Sequence, residues 1–153
     1  MDEFLNYFQA DLFIPELNAT TKEELLTEMV NYLAAHRNLK DTQLILQMLK
    51  HREDLGSTGI GYGIAIPHGK CSGVKELVMA IGIAKDPIEF DSIDQKPVTI
   101  MVLLASPIDR TGPHIQALAR ISRLMLDDAF KEKLENSNSA EEVYELISDK
   151  EHE

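Results

Sequence analysis

The sequence holds a single cysteine, Cys71, in 153 residues. A lone cysteine excludes an internal disulfide, and the usual zinc spacings need at least two, so the chain fits a reducing compartment. Basic residues are scarce: 15 Lys and Arg stand against 26 Asp and Glu, a net charge of −11. Such a surface repels phosphate backbones and argues against nucleic acid as a partner, while favouring solubility and basic partners. No hydrophobic run is long. Leu77–Ala84 and Val98–Ala105 span eight residues each, whereas a membrane helix needs about 20. Met1-Asp2-Glu3 lacks the basic segment that opens a secretory signal. The expected protein is cytoplasmic, with no direct membrane insertion. Six prolines and eight glycines are too few for a collagen-like or linker-like chain, and an apolar fraction of 44% is that of a globular protein. The length fits a single domain over residues 1–153, its core running from about 12 to 148.

What is present falls into three stretches. Leu12-Phe13-Ile14, ended by Pro15, is short enough for a strand. Thr21-Lys22-Glu23-Glu24 is a capping-box pattern, and Leu25, Leu26, Met29, Val30 and Leu33 follow at helical spacing. A second helix is predicted from Asp41 as N-cap, with Leu44, Ile45, Met48 and Leu49 as its apolar stripe and Gly56 at its end. Ile64-Ala65-Ile66-Pro67, Leu77–Ala84 and Val98–Ala105 read as strands, punctuated by Asp86-Pro87 and Lys96-Pro97. Near-continuous apolar strands are buried on both faces. Helical spacing returns after Pro113 at Ile115, Leu118, Ala119, Ser122, Leu124 and Met125. Ser139 and Glu142 form a second capping box ahead of Val143, Leu146 and Ile147. The expectation is an α/β protein, a mixed central β-sheet sandwiched by helices. The methionines at 29, 48, 79, 101 and 125 are expected in the core. Residues 127–153 carry ten acids and three bases, a net −7, which reads as a solvated helical surface.

The unusual stretch runs from Gly56 to Gly69 and holds five of the eight glycines. Glycine-rich turns let backbone N–H groups converge on an anion, with Ser57 and Thr58 as hydroxyl donors and Arg52 just upstream as a planar fork for phosphate. No Lys-Ser/Thr follows the glycines, so this is not a P-loop, and Ile64 stands where a dinucleotide fingerprint needs its third small residue. An anion site and a tight structural loop both fit these residues. His68, between Pro67 and Gly69, can be a phosphoryl-accepting nucleophile or a surface histidine in a turn. Cys71 follows three residues later, so a Cys–His nucleophile or a His68–His114–Cys71 metal site can be drawn. No third orienting residue is specified, and neither cofactor nor metal is expected.

Gly56 to Gly69, read with Arg52, resembles the signature of the type-2 IIA domains of the bacterial phosphoenolpyruvate-dependent sugar phosphotransferase system. These are the fructose/mannitol-type IIA domains and their stand-alone nitrogen-regulatory relatives. Gly63-Ile64-Ala65-Ile66-Pro67-His68-Gly69 carries most of the likeness. It continues through Ile88 to Val98 and on to Thr111-Gly112-Pro113-His114, covering roughly Leu12 to Ile147. The resemblance implies the phosphotransferase/anion transport protein fold. It implies that His68 accepts phosphate on Nε2 from phospho-HPr, the histidine-containing phosphocarrier protein, or from its nitrogen-branch analogue. It further implies that His114 lies near His68 and orients or stabilises the phosphoryl group, that Arg52 is an active-site arginine, and that Ser57 and Thr58 hydrogen-bond phosphate. Tyr62 departs from the family pattern, which has a small polar residue there, commonly asparagine.

The function so implied is a phosphohistidine carrier that passes phosphate from His68 to a IIB component for fructose/mannitol-type sugar uptake. The alternative is a nitrogen-regulatory IIA protein whose phosphorylation state controls binding to target proteins. In either case the imidazole of His68 needs one nitrogen fixed by a hydrogen bond and the other unprotonated. Donation from a protonated His114 needs a pKa near the ordinary ≈6.5 or above.

Overall fold

The computed structural model describes residues 12–151. A six-stranded mixed sheet has the order β1-β5-β6-β3-β2, with β4 also paired to β6. The strands are β1 (Phe13–Leu17), β2 (Gly59–Gly61), β3 (Ile64–Ala65), β4 (His68–Lys70), β5 (Val78–Ile88) and β6 (Val98–Ser106). The five helices are α1 (Lys22–Arg37), α2 (Thr42–Asp54), α3 (Thr111–Leu124), α4 (Asp128–Glu135) and α5 (Ala140–Glu151). β5 and β6 are antiparallel, and β1 on β5 and both β3 and β4 on β6 are parallel. Met79 to Ala84 and Ile100 to Ser106 are buried without alternation, so both faces of the sheet are covered. This is the helix-sandwiched mixed sheet expected from the sequence.

The helix starts follow the sequence, with one variation. Thr21 Oγ1 accepts from Glu24 N at 3.1 Å, but the Glu24 carboxylate turns back to Thr20 N rather than to Thr21. Ser139 and Glu142 repeat the arrangement, Glu142 reaching Asn138 N at 3.4 Å. Asp41 occupies the N-cap of α2 without a capping hydrogen bond.

Two helix faces differ from expectation. α2 buries Ile45, Leu46, Leu49 and Glu53, while Leu44 and Met48 are exposed. α3 buries His114, Ala117, Ile121 and Leu124, and Ile115 is exposed. In α3 the polar His114 belongs to the inward face, so counting apolar residues alone rotates the stripe. Asp86-Pro87 does not end its strand either: β5 runs on to Ile88 across a register shift between Ile83 and Ile88. α4 is a further element, and its Phe130 and Leu134 join the core.

The hairpin between β2 and β3 explains the preference at position 62. Gly61 pairs with Ile64, and the two linking residues, Tyr62 and Gly63, have φ of 58° and 79°. Two left-handed residues in a two-residue loop make a type I′ turn, for which Asn-Gly is the favoured sequence. Tyr62 holds the strained position by contacts: its N–H donates to Asp94 Oδ2 at 3.1 Å, its carbonyl accepts from Lys131 Nζ at 3.1 Å, and that ammonium sits 5.2 Å from its ring centre.

β3 and β4 lie end to end along β6, Ile64 and Ala65 beside Ile100 and Met101, His68 to Lys70 beside Leu104 to Ser106. Ile66-Pro67 is the break between them. Proline has no N–H for the ladder, and its carbonyl accepts from Leu104 N at 2.9 Å. Farther along the sheet, Gly82 is where β5 meets β1 and α1: a Cβ there would lie 2.9 Å from both Leu17 Cδ1 and Met29 Sδ. Gly82→Ala is therefore expected to lower stability by about 1–3 kcal/mol through overpacking. Urea denaturation checks this, and wild-type stability would show that the contact yields.

Candidate functional site

The break at Ile66-Pro67 sets the chemistry of His68. The carbonyl of Ile66 lies 2.7 Å from His68 Nδ1. A carbonyl can only accept, so Nδ1 carries the proton and Nε2 keeps its lone pair. Nε2 has no protein partner among the described residues. Burial lowers the pKa of His68, and the Arg52 charge lowers it further, against opposing contributions from the Ile66 hydrogen bond and Glu53. The imidazole is therefore neutral at pH 7.

Strand alternation puts His68 and Lys70 on the same face of β4, with Gly69 between them turned toward Leu49 of α2. On the His68 side lies the first turn of α3. Lys70 Nζ donates to Thr111 Oγ1 at 2.6 Å, and the ring of His114 is 5.5 Å from that of His68, tilted by 55°. Pro113 fits this first turn because the early N–H groups of a helix have no intrahelical acceptor. His114 is buried, and its Nδ1 is 2.5 Å from Ser106 Oγ at the end of β6. Burial, then the neighbouring His68 and Lys70, pushes the His114 pKa down to about 4. That overturns the protonated donor: in the free protein His114 is neutral and can donate only through its tautomer.

The glycine-rich segment is tied down from below. Glu53, buried at the end of α2, accepts from Thr58 N at 3.1 Å and from the Thr58 hydroxyl, and pairs with Lys22 Nζ at 3.1 Å. Lys22 also sits 4.4 Å from the Phe90 ring centre. Ser57 Oγ donates to the Phe90 carbonyl at 2.7 Å and accepts from Gly59 N at 3.0 Å. The hydroxyls of Ser57 and Thr58 are thus spent on ordering the loop. Arg52 Nη1 donates to Gly56 O at 2.7 Å, and its other N–H groups make no further hydrogen bond among the described residues.

The structure therefore gathers His68, His114 and the charge of Arg52, and places Ser57 and Thr58 as struts beside them. Sequence reasoning missed Glu53, Lys70 and Ser106. Lys70 was visible two residues after His68, on the same strand face. Ser106 and Glu53 look like ordinary strand-end and helix-end residues, and only the fold gives them partners. Cys71 is buried and its thiol is pushed up to about 11, so thiolate is scarce at neutral pH. Among the described residues no group of three or more His, Cys, Asp or Glu is arranged to hold a metal ion, and no helix is long and apolar enough to cross a membrane.

Both site histidines have folded pKa values below the unfolded ≈6.5. The unfolded chain then binds their protons more tightly, so their contribution to stability is complete above about pH 6.5 and is lost as pH falls toward 4. Ring-resonance titration by NMR is expected to give a midpoint near 4 for His114 and one below 6.5 for His68. A His114 midpoint at or above 6.5 would contradict the buried neutral ring.

Comparison with known proteins shows the family and the fold. A nitrogen regulatory protein of Bradyrhizobium diazoefficiens is 33% identical over 138 residues, covering 90% of each chain. The fructose-specific EIIABC component of Bacillus subtilis is 31% identical over 132 residues, 86% of this chain and 21% of that one. The crystal structure of the nitrogen regulatory protein IIA-Ntr of Neisseria meningitidis superposes with a TM-score of 0.87 at 31% identity, over 94% of this chain and 97% of the other. Residues 6–150 match the family described as phosphoenolpyruvate-dependent sugar phosphotransferase system, EIIA 2, and the chain belongs to that family.

Proposed function

We propose that His68 is the phosphoryl-carrying residue of this IIA domain. The observation that carries the reading is the fixed tautomer: Nδ1–H is held by Ile66 O at 2.7 Å, leaving an unprotonated Nε2 beside the Arg52 charge. In the transfer, Nε2 attacks the phosphorus of a donor phosphohistidine. The Nε2–P bond forms as the donor N–P bond breaks, and its electron pair returns to the donor ring. The His68 ring then carries positive charge, which the Ile66 carbonyl stabilises through Nδ1–H. Phosphoryl transfer asks the protein mainly for alignment and charge stabilisation. Arg52 offsets charge on the phosphoryl oxygens, and the first turn of α3, with its partial positive charge, favours the anion. Passing the group on reverses these steps. The donor is phospho-HPr or its nitrogen-branch analogue, and the acceptor is a IIB component serving fructose/mannitol-type uptake.

A second reading is favoured by the Bradyrhizobium relative, a nitrogen regulatory protein matched over 90% of both chains. In it, the same phosphoryl group adds about −1.5 to −2 of charge to a chain already at −11. That local change alters the affinity of the His68 face for a target protein. The two readings share His68 and differ in what drains or senses the phosphate.

Intact-mass spectrometry after incubation with phosphoenolpyruvate, enzyme I and HPr, and in parallel with the nitrogen-branch pair, tests the shared step. One acid-labile phosphoryl adduct is expected, absent in His68→Ala and formed more slowly in His114→Ala. Full transfer in His68→Ala would sink the assignment. Drainage by a IIB component favours the transport reading, and a stable complex formed only by the unphosphorylated protein favours the regulatory one.

A further inference from the structure

We infer that Ser106 is a positioning residue that fixes the tautomer of His114, so that this neutral ring presents Nε2–H as a hydrogen-bond donor to the phosphoryl group. The inference rests on the reading of His68 as phosphoryl carrier and assigns a role to a residue outside that reading.

The argument begins with the hydroxyl proton. Ser106 is fully buried, and its Oγ lies 2.5 Å from His114 Nδ1. Among the described residues Oγ forms no other hydrogen bond. Two arrangements are possible. If Nδ1–H donated to Oγ, the serine proton would be left without an acceptor in a site that water does not reach, at a cost of about 1–3 kcal/mol. If Oγ–H donates to Nδ1, one bond satisfies both groups. The second arrangement places the single proton of the neutral imidazole on Nε2.

The geometry around Ser106 holds this choice in place. Its backbone is locked into the sheet: Ser106 pairs with Lys70 across β4 and β6, and its carbonyl accepts from Cys71 N at 2.8 Å. His114 is fixed from the other side, because its N–H bonds to Arg110 O at 3.2 Å in the first turn of α3. The strand holds the serine and the helix holds the imidazole.

The two site histidines then become chemical opposites. Each is anchored to the protein through Nδ1. His68 Nδ1 gives its proton to a carbonyl, so Nε2 is a lone pair and a nucleophile. His114 Nδ1 takes a proton from a hydroxyl, so Nε2 carries N–H and is a donor. One ring supplies the electron pair for the N–P bond, and its neighbour supplies a hydrogen bond to an oxygen of the same group. The donor is present before the phosphoryl arrives, so its orientation costs no reorganisation at the moment of transfer.

Long-range proton–nitrogen NMR correlation on the 15N-labelled protein at pH 7 reads both tautomers directly, without phosphorylation. The expected result is Nδ1–H on His68 and Nε2–H on His114. Ser106→Ala is expected to lose the His114 preference and leave the ring a mixture of tautomers, while Ser106→Thr, which keeps the hydroxyl, restores it. In phosphoryl transfer from phospho-HPr, Ser106→Ala is expected to reduce the maximal rate about tenfold with the donor KM unchanged, a part of the roughly 10²–10³ that one preorganised hydrogen-bond donor contributes. A His114 proton on Nδ1 in the wild type would overturn the assignment, and that measurement needs no variant to fold. So would a Ser106→Ala protein with the wild-type tautomer, or one that lost the tautomer yet transferred at the wild-type rate. Failure of the wild type to take phosphoryl from either donor would instead strike the reading of His68, since the tautomers are measured on the free protein.

Discussion

The site depends on the hydrogen bond from His68 Nδ1 to the carbonyl of Ile66, 2.7 Å long. A neutral imidazole has one proton for two nitrogens, so anchoring one nitrogen as a donor decides what the other can do. That anchor exists because the strand is interrupted. β3 and β4 both follow β6, but Pro67 cannot donate to the ladder, and the chain steps aside at Ile66-Pro67. The carbonyl at the step is the one the imidazole uses. Gly69, next in the chain, brings β4 close to Leu49 of α2. A continuous strand through 64–70 would give the same sheet without this acceptor in reach of the ring.

Rigidity around the anchor comes from the hydrogen bonds of Glu53, Thr58 and Ser57. Glu53 is a charge in a nearly dry place, and leaving it unpaired would cost about 3–5 kcal/mol. Lys22 from α1 and the amide and hydroxyl of Thr58 satisfy it. One carboxylate thereby links α1, α2 and the glycine-rich segment. Ser57, bonded to the Phe90 carbonyl, ties the same segment to the connection between β5 and β6. The loop is held from beneath by its hydroxyls, and Arg52 is tied to it through one N–H on the Gly56 carbonyl.

Much of this was legible in the residues. Arg52, the glycines, Pro67 and His68 stand out by type and spacing, His114 enters through the family resemblance, and the capping motifs and apolar runs give most of the elements. What escaped did so for identifiable reasons. The inward face of α3 was misread because His114, a polar residue, is one of its buried members. Met48 was assigned to the core on composition, yet α2 turns it outward and buries Glu53 instead. Tyr62 has a φ of 58° in a type I′ turn, a position that favours Asn, and a backbone dihedral is something composition does not encode. Ser106 and Glu53 acquire meaning only from the fold, which brings His114 of α3 to the one and Lys22 of α1 and Thr58 to the other.

The charge state of the two histidines follows from the same packing. Both imidazoles are pushed toward the neutral form by burial first; Arg52 adds to this at His68, and His68 and then Lys70 add to it at His114. A nucleophile gains from this, because a protonated His68 has no lone pair to offer. The cations have a cost before phosphoryl binds, when each repels any proton on its neighbouring ring. If His68 carries a phosphoryl group as proposed, the same positive charges attract that dianion. On the proposed reading of His68, attraction for the group comes from charges already in place, and the nitrogen that would bear it is held unprotonated by the Ile66 carbonyl.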